Sequence, residues 1–296
     1  MSMNTKFSIQ ISRIKDKLSR ARAFDSELKV FGASSHKYEI GSSLTLDEVV
    51  SFEKKYSITL PDCYRSFLLE VGNGGSSYLE AGAGPFYGIY AMGSQVGELL
   101  ETPELYLHKE PQISPEMSDE MWSELTKRLN DDDEISDADY ELELGKVFSG
   151  LLPIGSQGCS SLHVLIVSGE DAGRVVNLDM DLHTPKVCYE DNFLDWYERW
   201  LDEIISGILL ADGPAWFGYT MGGDDNYLLS VFNTSSEDQT RLEALNGLAK
   251  LLSIEDKSKD KLLEISSDGY SVAVRHTATQ MLAQFSYERA IPVLEN

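Results

Sequence analysis

Residues 44–75 read LTLDEVVSFEKKYSITLPDCYRSFLLEVGNGG, from Leu44 to Gly75. Thr45 has the chemistry of a helix N-cap, and Glu48 three places on completes a capping box. Leu44 and Val49 have the spacing of a hydrophobic staple. Val49, Phe52 and Tyr56 then recur at helical spacing, which predicts a helix from Leu46 to near Tyr56. Ile58 and Leu60 lead to Pro61, a residue suited to the first turn of a second helix because its missing N–H has no helical partner there. Tyr64, Phe67, Leu68 and Val71 share one face of that helix. Gly72 is placed to end it in the left-handed conformation, and Asn73, Gly74 and Gly75 supply turn chemistry.

Downstream the periodicity changes. Ser76–Leu79 and the aromatic run Phe86, Tyr87, Ile89, Tyr90 read as short strands around Gly82, Gly84 and Pro85. Gly82-x-Gly84 lacks the third glycine and the following helix of a dinucleotide loop. Ser114-Pro115 is expected to open a helix with Met117, Met121, Leu125 and Leu129 on one face. From Leu151 the text returns to strands: Leu151–Ile154, Leu162–Val167, Arg174–Leu178 and Lys186–Tyr189, joined by tight turns as in an antiparallel meander. Asn192 then caps a helix with an apolar stripe of Phe193, Tyr197, Trp200, Leu201, Ile204 and Ile208. Upstream, residues 5–22 make a basic amphipathic helix with Ile11, Ile14, Leu18 and Ala21 inward. After Asp212-Gly213-Pro214 the chain is helical. The expected architecture is α+β: an antiparallel sheet of about five or six strands packed with helices over residues 1–211, then a linker and small all-α module over 212–296.

The 44–75 stretch resembles the signature of the SUKH superfamily, on Leu44, Thr45, Glu48, Phe52, Glu53, Leu60, Pro61, Tyr64, Arg65, Phe67, Leu68, Asn73, Gly74 and Gly75. The second half of such domains is similar to Leu152, Pro153, Ile154, Gly155, Gly169, Glu170, Gly173, Val175 and Phe193. Here Cys159-Ser160-Ser161 stands where many members carry Gly-Asp. The resemblance implies structural roles for the motif residues and a protein-binding function. Many bacterial members are immunity proteins that neutralise a toxin, and fungal members regulate cell-wall glucan synthesis. Residues 98–146 are longer than such domains usually have there and read as an acidic insertion. SVAVRHTATQMLAQF, with Val274, Arg275, Ala278 and Leu282, is similar to a HEAT-type helix.

The formal charge is −24. Residues 41–160 hold twenty-two acidic side chains against seven basic ones. Such a chain repels nucleic-acid phosphates and speeds association with a basic partner. The acidity peaks at Asp131, Asp132, Asp133, Glu134, Asp137, Asp139, Glu141 and Glu143. These residues read as a solvated loop or, more sharply, as a surface that meets a basic toxin. A calcium loop would need a central glycine that is missing here. Cys63, Cys159 and Cys188 lie far apart, as reduced thiols of a cytoplasmic protein do. No cofactor or metal motif is present, and no apolar run approaches the ~20 residues of a membrane span. The leading expectation is a non-catalytic immunity protein that occludes a cognate toxin. A regulatory or scaffolding protein is the alternative, and a hydrolase using a metal on Asp179 and Asp181 is a third reading.

Overall fold

The computed structural model describes residues 6–211, 216–267 and 269–295. The chain divides into two compact units, Met1–Leu210 and Ala211–Asn296.

In the first unit, α1 (Ser8–Phe24) turns Ile11, Ile14 and Ala21 inward. It is followed by the single turn α2 (Ala33–His36), then α3 (Leu46–Tyr56) and α4 (Asp62–Glu70). Two helices of the acidic section come next, α5 (Asp119–Asp131) and α6 (Asp137–Val147). The sheet is a meander of β1 (Leu151–Gly158), β2 (Ser161–Ile166), β3 (Val175–Asp179) and β4 (Lys186–Val187), antiparallel and in order 1-2-3-4. α7 (Phe193–Ile205) starts on Asn192, whose Oδ1 accepts from the amides of Leu194 and Asp195.

α7 is the spine of this unit because its sequence is apolar on more than one face. Phe193, Leu194, Trp196, Tyr197, Leu201 and Ile204 are fully buried. Tyr64 and Phe67 of α4 meet the Phe193 ring edge-on at 4.9 and 5.0 Å, and Phe67 meets Tyr197 at 4.8 Å. Edge-to-face pairs of this kind stabilise by about 0.5–1.5 kcal/mol beyond their buried area. The Tyr197 hydroxyl donates to the Ala83 carbonyl at 2.8 Å. Along its other side α7 takes the basic face of α1. Arg13 and Lys17 each reach Glu198 at 2.8 Å, and Gln10 donates to Glu198 and Asp195. Burial alone would raise the Glu198 carboxyl, but the bonds from Arg13 and Lys17 hold it down at about 2. Part of the basic face of α1 therefore pins α7.

Among the described residues four strands stand where five or six were expected. In the first missing segment Leu79 and Glu80 both have φ of 57°, a left-handed backbone that cannot extend. In the aromatic run Phe86 (φ 55°) and Gly88 (φ 102°) turn the chain twice. Its strand-like pairing is confined to single bridges of Ile89 to Gly82 and to Gly155 of β1, with the Tyr87 and Tyr90 amides donating to the Ser156 and Ile154 carbonyls. Three further expectations fail locally. Gly72 does not end α4 by a positive φ; a Cβ there would lie 2.5 Å from the Gly41 carbonyl, so close approach is what demands glycine. α5 starts on Ser118 rather than Ser114, and it buries Trp122 and Thr126 while Met121 is 51% exposed. The Trp122 indole N–H donates to the Leu182 carbonyl at 2.6 Å, and this bond turns the helix about its axis.

The second unit contains α8 (Asp225–Thr234), α9 (Asp238–Leu248), α10 (Asp256–Ser267), α11 (Val272–Phe285) and α12 (Tyr287–Leu294). Leu228, Phe232, Leu245, Leu248, Leu262, Ile265, Val274, Ala278 and Leu282 form its core. Val272 opens α11 directly after the Ser271 cap and is 73% exposed. No helix among the described residues is long and apolar enough to cross a membrane.

Candidate functional site

The motif residues form a knot of backbone. Thr45 Oγ1 accepts from the Glu48 amide, and the Glu48 carboxylate accepts from the Thr45 amide at 2.7 Å. Those bonds lower the Glu48 pKa. Glu53 is buried and accepts at 3.0 Å from both the Leu60 amide and Arg65, which fixes the entry to α4 through Leu60 and Pro61. Asn73 Oδ1 accepts from the Met92 amide at 2.7 Å. Gly74 sits at φ 52°, and a Cβ on it would lie 2.4 Å from the Glu80 carbonyl and 2.5 Å from the Ala91 nitrogen. A Cβ on Gly75 would lie 2.7 Å from the Ala81 carbonyl. The Asn-Gly-Gly turn thus holds two surface loops together, residues 76–81 and 91–102. On the first, Tyr78 is 75% exposed beside the left-handed Leu79 and Glu80.

The eight acidic residues singled out by sequence are brought into one helical hairpin, but they are not equivalent. Arg128 of α5 stands between α5 and α6, 2.7 Å from Glu143, 3.4 Å from Asp139 and 3.8 Å from Asp132. Lys146 also reaches Glu143 at 2.8 Å, and the bonds from Lys146 and Arg128 lower the Glu143 pKa. Asp132, Asp139 and Glu143 therefore face a cation of their own chain. Asp131, Asp133, Glu134, Asp137 and Glu141 are exposed. Tyr140 and Leu142 are exposed among them, at 38% and 51%. Most of the supposed loop is helix: α5 runs on through Asp131, and Ser136 caps α6 by accepting from the Asp139 amide. With a guanidinium at its centre the segment has no calcium-loop geometry.

Two other acidic clusters stand at turns. Asp179 accepts from the Asp181 amide at 2.9 Å and lies 2.7 Å from His183 Nδ1, while Asp181 accepts from Ser160. Burial would raise the Asp179 carboxyl, yet those bonds lower it. Both aspartates are thus engaged at the β3–β4 turn. Among the described residues no group of three or more His, Cys, Asp or Glu side chains is placed to hold a metal. In the second unit Asp224 caps α8 and Asp225 accepts from the Glu255 amide.

Sequence reasoning missed a buried polar network inside the sheet. His163 of β2 and Asn177 of β3 are cross-strand partners, with His163 Nδ1 3.1 Å from Asn177 Oδ1. Gln157 of β1 donates to the same Asn177 oxygen at 3.0 Å, and Asn177 donates to Cys188 Sγ at 3.6 Å. His163 is fully buried against Trp196, with ring centroids 5.0 Å apart, and burial pushes its pKa down to about 3. The signal was available: polar residues at inward positions of successive strands must find one another. The network is closed to substrate and orders the core.

Comparison with known proteins returns one family. The family model described as SMI1 / KNR4 family (SUKH-1) matches residues 43–199. No curated protein and no solved structure matches.

Proposed function

The chain belongs to the SMI1 / KNR4 family (SUKH-1), and from that premise we propose that it is a non-catalytic immunity protein that neutralises a cognate toxin by covering it. Family membership supports an immunity or regulatory role in general, exercised by binding a partner protein. The observation that carries the finer reading is the α5–α6 hairpin, whose outward carboxylates surround exposed Tyr140 and Leu142. A toxin that cuts nucleic acid needs a basic cleft to hold phosphates, and an acidic face with apolar anchors complements such a cleft. Charges at the rim steer encounter, while buried anchors set dissociation.

The test uses the toxin encoded beside this chain's gene and measures association at two ionic strengths. Replacing Asp131, Asp132 and Asp133 with Asn and Glu134 with Gln slows association and flattens its salt dependence, with the far-UV spectrum unchanged. An unchanged on-rate and salt slope removes the hairpin from the interface. A neighbouring gene product that this chain neither binds nor neutralises removes the immunity reading. The second unit favours a regulatory role beside it. Tyr287, Ile291 and Leu294 leave an apolar stripe exposed along α12, a surface suited to a further partner. Its likeness to HEAT repeats belongs to the same proposal.

A further inference from the structure

A cavity of about 500 Å³ opens at the surface along α5 and α6, lined by Leu125, Lys127, Arg128, Asp131, Asp132 and Glu143. Its volume is in the ordinary range of ligand pockets and leaves room for side chains of a partner. Lys127 pairs with Glu124 at 3.8 Å. Arg128 does more. Its Nη1 lies 2.7 Å from Glu143, its Nη2 3.4 Å from Asp139 and its Nε 3.8 Å from Asp132. Each nitrogen of the fork faces a carboxylate of its own, a spacing that suits a planar guanidinium and not the point charge of an ammonium. The chain thereby shows which cation this groove takes. The occupant is nevertheless half in water, and exposed pairs of this kind are weak. Leu125 lies one turn before Arg128 on the same face of α5, half-buried, and Met121 one turn before that is 51% exposed. An apolar strip thus runs directly into a set of carboxylates held by a replaceable cation.

We infer that this groove is where a basic partner protein inserts an arginine, which takes the place of Arg128 among Asp132, Asp139 and Glu143 while an apolar neighbour of that arginine packs on Leu125 and Met121. Charge complementarity selects the occupant: Asp119 to Val147 carry eleven acidic side chains against three basic ones. The exchange replaces one guanidinium by another, so charge alone gains little. A partner must add the apolar contact to displace Arg128, which makes Arg128 a specificity-determining residue that rejects partners offering only positive charge. The inference rests on the protein-binding reading above and names what the partner places on the hairpin.

The probe is a short amphipathic peptide of arginine, leucine and alanine. One control carries lysine for arginine in the same pattern; the other has the same composition, scrambled so that leucine and arginine no longer share a face. Each is titrated into the full chain at matched ionic strength, with calorimetry for affinity and backbone-amide NMR for location. Expected are saturable shifts at Leu125, Arg128, Asp132, Asp139 and Glu143, and binding of the arginine peptide about threefold or more tighter than either control. Arg128→Lys keeps the charge and loses the fork, so it tightens the arginine peptide by a similar factor; a groove that senses net charge alone leaves this variant like the parent. Glu143→Gln, with the far-UV spectrum unchanged, weakens the same peptide. Equal affinity of the parent chain for all three peptides, a result that needs no variant, overturns the inference. So does an affinity unaltered in both Arg128→Lys and Glu143→Gln. A second arm uses the toxin encoded beside the gene. If the parent chain neutralises it and neither variant changes its affinity, the arginine site falls and the immunity reading stands. If the parent does not bind it while the arginine peptide still selects the groove, the immunity reading falls and the arginine site stands.

Discussion

Arg199 sits with its side chain 10% exposed between Glu190 at 2.5 Å and Glu203 at 2.7 Å. Arg128 stands 48% exposed among Glu143, Asp139 and Asp132. The chemistry is the same, one guanidinium gathering carboxylates, and the surroundings separate the outcomes. Burial alone would lower the Arg199 pKa, but Glu203 and Glu190 raise it instead. Three groups taken from water together cannot be separated without leaving a charge unpaired. Arg128 keeps its water, so its carboxylates can exchange it for another cation at little cost. The first cluster fastens α7 to the end of the sheet; the second leaves the acidic hairpin free to trade partners.

The largest expected effect breaks the buried cluster. Arg199→Ala should lower the stability of the fold by about 3–5 kcal/mol, the usual result of orphaning a buried charge. Urea unfolding measures it, and a loss below about 1 kcal/mol would put Arg199 on the footing of Arg128.

The same contrast governs the histidines. His36 and His163 are buried, and burial lowers their pKa values to about 4 and about 3. In the unfolded chain each binds a proton near pH ~6.5. Stability is therefore complete above pH ~6.5 and falls as the pH drops toward the folded values, by up to ~1.4 kcal/mol per pH unit for each histidine. Urea unfolding between pH 7 and pH 5 should show that slope, and His163→Gln should remove about half of it. A flat profile across this range would mean that the histidines are hydrated. His183, exposed beside Asp179, shifts the opposite way because the carboxylate favours its charged form.

The smallest expected effect lies at the exposed cluster. Arg128→Ala should leave the urea midpoint where it is and modestly raise the association rate with a basic partner, since it removes a positive charge from the hairpin. A collapse of the α5–α6 helical signal in that variant would show that Arg128 holds the hairpin together, and the distinction drawn from exposure would fail.

Local chemistry is what sequence alone determined. The capping box at Thr45 and Glu48, the strands from Leu151 to Val187 and the helix begun by Asn192 each depend on residues a few places apart. Short-range hydrogen bonds and side-chain alternation express them without help from the rest of the chain. Tertiary structure decided whatever depends on distant neighbours. The Asn73-Gly74-Gly75 turn could be read as a turn, but only the approach of Glu80 and Ala91 explains why glycine is required. The run of acids could be counted, yet which of them meet Arg128 follows from how α6 returns along α5. The rotation of α5 follows Trp122 reaching Leu182, and the pairing of His163 with Asn177 follows strand register. Glu98 looks like any other acid in the sequence. It is distinguished only by its place beside the Tyr90 hydroxyl, because solvation and partners are properties of surroundings that the linear chain does not contain.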